Sequence, residues 1–164
     1  MTRADSEPVR MEVRGLMLDP ASNHPIVILR DPESETFLPI WIGLFEANAI
    51  QLGLESSKSP RPRTHDLLAS VLHSLGAEVV KVVVEDLKDQ TFYAVIHVNH
   101  GSSRVRIDAR PSDAIALALR TDSPVFVVRS VLEKAQREDG TSDEERVKKL
   151  LEELGPEDLG EYEM

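Results

Sequence analysis

The chain has 164 residues, 41% hydrophobic and 4% aromatic, with 29 acidic against 19 basic side chains and a formal net charge of −10; this composition suits one folded domain with a real core. It contains no cysteine, which excludes disulfides, thiolate metal sites and cysteine nucleophiles and fits a reducing cytoplasm. No apolar run reaches the roughly 18 residues of a membrane span, and the polar, acid-bearing N-terminus lacks the form of a signal peptide.

The charge is uneven. Residues 133–164 hold 12 acidic and 5 basic side chains, leaving 17 acidic and 14 basic for residues 1–132. The body is therefore near balance, yet it carries no basic stripe with interleaved aromatics of the kind that grips duplex nucleic acid.

Residues 1–8 are polar and read as a disordered N-terminus. The alternation Met11, Val13, Gly15, Met17 predicts a strand from Val9, Asp19-Pro20-Ala21-Ser22-Asn23 a turn, and residues 25–29 and 36–42 two further strands, together an antiparallel meander. Residues 44–54 read as a helix with Glu46 in its first turn. After a loop, Thr64 caps a second helix whose Leu67, Leu68, Val71, Leu72 and Leu75 form a stripe closed by Gly76. Strands are expected over 78–84, 92–98 and 104–109, with turns at 86–90 and 99–102. A helix from Pro111, apolar almost all round, belongs in the interior, and residues 124–128 form a short strand. Residues 136–142 read as a linker, and Ser142-Asp143-Glu144-Glu145 as a capping box opening an amphipathic helix with Val147, Leu150, Leu151 and Leu154 on one face. The expected fold class is α+β: a single compact domain over 9–135 with an antiparallel or mixed sheet and three main helices. An acidic linker and C-terminal amphipathic helix follow over 136–164.

Two corners share one design. Arg61-Pro62-Arg63-Thr64-His65-Asp66 and Arg110-Pro111-Ser112-Asp113 each place arginine, proline, a hydroxyl and an aspartate at a helix mouth that tolerates anions. The simplest account is structural, since an acid in the first turn stabilises a helix by about 0.3–1 kcal/mol. The combination points further. Glu46, His65, Asp66, Asp108 and Asp113 all lie at element ends, with Arg61 and Arg110 beside them; carboxylates and histidine can position water, and arginines grip phosphate. These five are the candidate catalytic residues, Arg61 and Arg110 the candidate phosphate clamps. Asp66, Asp108 and Asp113 are the candidate ligands of a divalent magnesium, manganese or calcium ion. His24, His73, His97 and His100 read as surface or packing residues, and Trp41 as a core or groove anchor.

Leu38-Pro39-Ile40-Trp41-Ile42-Gly43 with Glu46-Ala47, Arg61-Pro62-Arg63-Thr64-His65-Asp66-Leu67-Leu68, Asp89-Gln90-Thr91-Phe92-Tyr93-Ala94, and Asp108-Ala109-Arg110-Pro111-Ser112-Asp113-Ala114-Ile115-Ala116-Leu117-Ala118 occur in this order. Together they resemble the bifunctional nuclease family over about residues 11–135. The resemblance implies a compact α+β domain, a homo-oligomer with a dimer as the first expectation, and nuclease activity on DNA and RNA. The leading expectation is metal-assisted phosphodiester hydrolysis on single-stranded or flexible nucleic acid, in the cytoplasm and away from membranes. The alternatives are a non-catalytic module that binds an anion or nucleotide at its helix mouths, and a structural oligomer in which Arg110 and the aspartates form an internal network.

Overall fold

The structure is a computed structural model that describes residues 7–138 together with 149, 151 and 152. Among them, the chain runs β1 (Pro8–Leu18), β2 (Pro25–Arg30), β3 (Phe37–Trp41), α1 (Leu44–Leu54), α2 (Thr64–Ser74), β4 (Ala77–Lys88), β5 (Thr91–His100), β6 (Ser103–Ala109), α3 (Pro111–Thr121), β7 (Val125–Val128) and α4 (Arg129–Glu138). The strands form one mixed sheet in the order β3-β2-β1-β7-β4-β5-β6. The expected meander is its first half, β1 antiparallel to β2 and β2 to β3. The second half is the β4-β5-β6 meander, and β7 closes the gap, antiparallel to β1 and parallel to β4. Since β6 and β4 both run against β5, β6 and β7 are parallel, and α3 is the crossover between them.

That crossover is the centre of the core. Ser112, Ala114, Ile115, Ala116, Leu117 and Ala118 of α3 are buried, and the alternate alanines let the helix lie close to β4, β5, α1 and α2. Pro111 at its first position pre-sets the helical φ without forfeiting a bond. Val82 and Val84 on β4, Ala94, Ile96 and Val98 on β5, and Val27 and Leu29 on β2 belong to the same cluster as α3 and as Ala47 and Ile50 of α1. Ile26 and Ile28, of opposite parity on β2, pack with Leu151 instead. The C-terminal leucine stripe thus has one member seated on the body; apart from Lys149 and Glu152, the rest of the expected helix over 142–154, the remainder of the tail and residues 1–6 of the expected disordered N-terminus lie outside the described residues.

Three details depart from the sequence reading, and a fourth adds to it. The turn expected at 86–90 shrinks to Asp89-Gln90, both at positive φ, because bulges between Val79 and Lys81 and between Val84 and Asp86 let β4 run on to Lys88. Helix α4 occupies residues 129–138, so its end overlaps the expected linker; Val131, Leu132 and Ala135 are buried. Arg63, and not Thr64, is the N-cap of α2: the Asp66 carboxylate reaches back to accept its backbone N–H at 2.9 Å. Finally, α2 buries no residue fully, and Leu67, Leu68, Val71 and Leu75 face outward.

Candidate functional site

Each of the three helices α1, α2 and α3 carries an acid as its third residue: Glu46, Asp66 and Asp113. The fold brings the three first turns together. Arg110, the N-cap of α3, donates from Nε to Asp113 Oδ2 at 2.9 Å and from Nη1 to Glu46 Oε1 at 3.0 Å. Asp113 Oδ1 meets His65 Nε2 at 2.9 Å. The result is a continuous chain Glu46–Arg110–Asp113–His65 across three helix N-termini, whose unpaired N–H groups all favour negative charge.

The chain lines an open cleft of about 370 Å³ with Phe45, Arg63 and Arg120. Because the Arg120 guanidinium is committed to Asp66, Arg63 and Arg110 stand against Glu46 and Asp113 and the lining is balanced in charge. A second cleft of about 340 Å³ shares Glu46 and Arg110 and is walled by Trp41, Thr91, Phe92 and Ser112. Trp41 is held in place by its Nε1, which donates to Asp19 Oδ2 at 3.1 Å. Phe45 is 84% exposed, the most exposed large apolar side chain among the described residues.

The electrostatics follow from the contacts. Burial pushes the Asp113 carboxyl upward, but hydrogen bonds and charge from Arg110 and His65 outweigh it and hold the group below the usual carboxylate range. The same contacts, from Asp113 first and Glu46 second, raise Arg110. Asp113 is thus an anion that fixes the imidazole. With Nε2–H donated to it, Nδ1 of His65 is the accepting nitrogen, and it has no protein partner among the described residues.

Not every candidate arrives here. Asp66 turns away from the cleft to Arg120, whose Nε donates to Asp66 Oδ1 at 2.7 Å, while its Nη1 and Nη2 bind the carbonyls of Ala116 and Ala49 at 2.8 and 2.9 Å. The backbone N–H of Arg63 and then Arg120 lower the Asp66 pKa; its role is to tie α1, α2 and α3 together. Asp108 is exposed on β6 opposite Val95, while the next residue, Ala109, pairs with the buried Ala94; pleating therefore sends its side chain to the other face of the sheet. Arg61 is exposed and makes no ion pair among the described residues, and Arg63 lines the cleft in its place. The structure does not bring the side chains of Asp66, Asp108 and Asp113 together. Among the described residues no three histidine, cysteine, aspartate or glutamate side chains are grouped to hold a metal ion, and guanidinium groups already neutralise two of the three aspartates. Arg120, which the sequence reading missed, had one signal: it is the only charge between Asp113 and Asp122.

The α+β domain thus gathers the mouths of three helices on one arginine-lined cleft. Residues 27–139 match the model of the bifunctional nuclease domain, and the chain belongs to that family. It is 35% identical over 161 residues to an uncharacterised protein of Mycobacterium tuberculosis, covering 91% of this chain and 96% of that one. Bifunctional nuclease 1 of Oryza sativa subsp. japonica is 24% identical over 116 residues, 69% of this chain and 35% of the rice protein. Bifunctional nuclease 2 of the same rice is 25% identical over 122 residues, 72% and 38% of the two chains. No described helix is long and apolar enough to cross a membrane.

Proposed function

We propose that the protein hydrolyses phosphodiester bonds of DNA and RNA, acting on single-stranded or flexible nucleic acid at the Glu46–Arg110–Asp113–His65 cleft. The observation that carries this is the His65–Asp113 pair at 2.9 Å beside Arg110: a base, its orienting carboxylate and a phosphate clamp in one hydrogen-bonded row. Arg110 and Arg63 bind the non-bridging oxygens of the scissile phosphate. Water attacks phosphorus, His65 Nδ1 takes its proton, Asp113 stabilises the imidazolium, and the leaving oxygen is protonated by solvent as its bond to phosphorus breaks. A single strand can lay a base against the exposed ring of Phe45. With no group of three ligating side chains among the described residues, a divalent ion enters this proposal as one carried on substrate phosphates and met by Glu46 or Asp113, where it would neutralise developing charge.

The test is cleavage of end-labelled single-stranded DNA and RNA by the full chain, with magnesium, manganese, calcium or chelator, beside Asp113→Asn and His65→Gln. Both variants are expected to lose at least about 100-fold in kcat while keeping the wild-type circular dichroism spectrum. No cleavage by the wild type under any condition, or equal cleavage by folded variants, overturns the proposal. The second reading, an anion-binding module, is favoured by Arg63 and Arg110 at adjacent helix mouths on the cleft; it predicts thermal stabilisation by oligonucleotide without turnover.

A further inference from the structure

The two clefts adjoin at Glu46 and Arg110, which line both; His65 and Phe45 line the first alone, Trp41 and Phe92 the second alone. At about 340 Å³ the second cleft is at the lower end of ligand-sized cavities, about 300–1,000 Å³. Its lining mixes apolar surface with a few polar groups. Trp41, Phe92 and Pro111 supply the first, and the Gln90 amide and Ser112 hydroxyl the second. Both rings stand on paired strands, Trp41 opposite Ile26 and Phe92 opposite Leu87, and the Trp41 indole is tied to Asp19. A ligand would therefore meet surfaces already in place. Ser112 is the residue that calls for one. It is 5% exposed, yet its hydroxyl has no hydrogen-bond partner among the described residues. A buried polar group left in that state is costly and uncommon.

We infer that the second cleft seats one unpaired nucleobase, that of the nucleotide next to the phosphate on Arg110, with the Ser112 hydroxyl bonded to the edge of the base. The inference rests on the reading of Arg110 as the phosphate clamp. Every base has an apolar face and a polar edge; the aromatic walls suit the one, and Ser112 and Gln90 the other. A hydroxyl both donates and accepts, so Ser112 can serve the edge of any base. A sugar or phosphate alone would gain nothing from the rings. With Phe45 offering a platform in the first cleft, the strand is gripped on both sides of the phosphate. A base held here by its edge cannot be paired at the same time, and the second cleft is thereby the element that selects single strands.

Trp41 is the chain's only tryptophan, so its emission reports on this cleft. The probe is a deoxyadenosine trinucleotide with phosphorothioate linkages, which slow turnover, titrated into the full chain with chelator beside an abasic trinucleotide of the same charge. The base-bearing probe is expected to quench Trp41 saturably and to bind about tenfold more tightly than the abasic one. A blunt self-complementary duplex should leave the emission unchanged. Ser112→Ala is expected to weaken the base-bearing probe about three- to fivefold and the abasic probe not at all, with Tm at or above the wild-type value because no protein partner is lost. Phe92→Leu keeps the apolar packing, removes the ring and is expected to abolish most of the tenfold preference. Equal binding of the two probes, quenching that does not need a base, or a Ser112→Ala variant that loses Tm and weakens both probes alike overturns the inference. The readout is independent of cleavage. Base-dependent quenching by a protein that cuts no strand would overturn the hydrolysis proposed above and uphold the base site, and cleavage without base-dependent quenching would do the reverse.

Discussion

Arg120 and Asp66 meet at 2.7 Å across 54 positions of sequence, and the same guanidinium closes the carbonyls of Ala49 and Ala116. Three helices are thereby pinned by one side chain that is 10% exposed. Replacing it by Met keeps the stem and removes the charge, leaving Asp66 and a carbonyl of α1 without their donor. Breaking a pair of this kind costs about 3 kcal/mol, so Arg120→Met is expected to lower Tm by about 6–12 °C. A thermal melt showing less than a 1 °C change would mean that the pair contributes nothing.

Close approach of α1 to α3 depends on Gly53, where an added Cβ would lie 3.0 Å from Arg120 Nη1 and 3.0 Å from Leu119 Cβ. Neither neighbour can give way freely, since one is held by its hydrogen bonds and the other is inside the packed helix pair. Gly53→Val is expected to cost about 1–3 kcal/mol by overpacking, measured as a lower urea midpoint at unchanged slope. A midpoint at or above the wild-type value would show that the helices separate without penalty.

How far the sequence could be read follows from which contacts are local. The limits of α1 were legible from Gly43 and the apolar spacing, and the interior position of α3 from its lack of charge between Asp113 and Arg120. Glu46, His65 and Asp113 were singled out because each sits at a helix mouth, a local feature; that their mouths converge is a property of the topology. Asp66 has the same local signature as Asp113 and a different fate, because the residue that claims it lies on the far end of α3. Asp108 was separable in principle. Along β6 it shares parity with Arg104 and Arg106, while Val105, Ile107 and Ala109 take the other face, so period-two alternation already puts it on the polar side. The outward face of α2 was not legible, because an apolar stripe looks the same whether it faces its own core or solvent.

On the other side of the sheet, His97 Nε2 is buried without a hydrogen bond, and Glu85 Oε1 stands 3.7 Å away. Burial, then the charges of Lys81 and Arg106, push the imidazole below its ordinary value, with Glu85 opposing. The folded pKa is thus below the unfolded one, near 6.5. Between the two values the unfolded chain binds a proton that the folded chain refuses, so this contribution to stability is complete above about pH 6.5 and is lost as pH falls. Comparing Tm at pH 7.5 and 5.5, the wild type should lose more than His97→Gln; equal losses would mean that His97 does not titrate differently on folding.

Glu46 can fold back on Arg110 because Gly43 has no side chain: a Cβ there would overlap the Glu46 carboxylate. That carboxylate is the end of a flexible side chain, so Gly43→Ala displaces it at little cost to the fold. The displaced group no longer shares the Arg110 guanidinium with Asp113, and the cleft loses one of the two carboxylates that offset Arg63 and Arg110. Glu46→Gln removes the same charge by another route. Both variants are therefore expected to bind a single-stranded oligonucleotide about two- to fivefold more tightly, within the range of one exposed ion pair. Both should also turn it over more slowly, because Arg110 then has one anchor instead of two. Fluorescence anisotropy at fixed salt measures the first effect and single-turnover cleavage the second. Weaker binding in both variants would mean that Glu46 holds Arg110 ready for phosphate more than it competes with it.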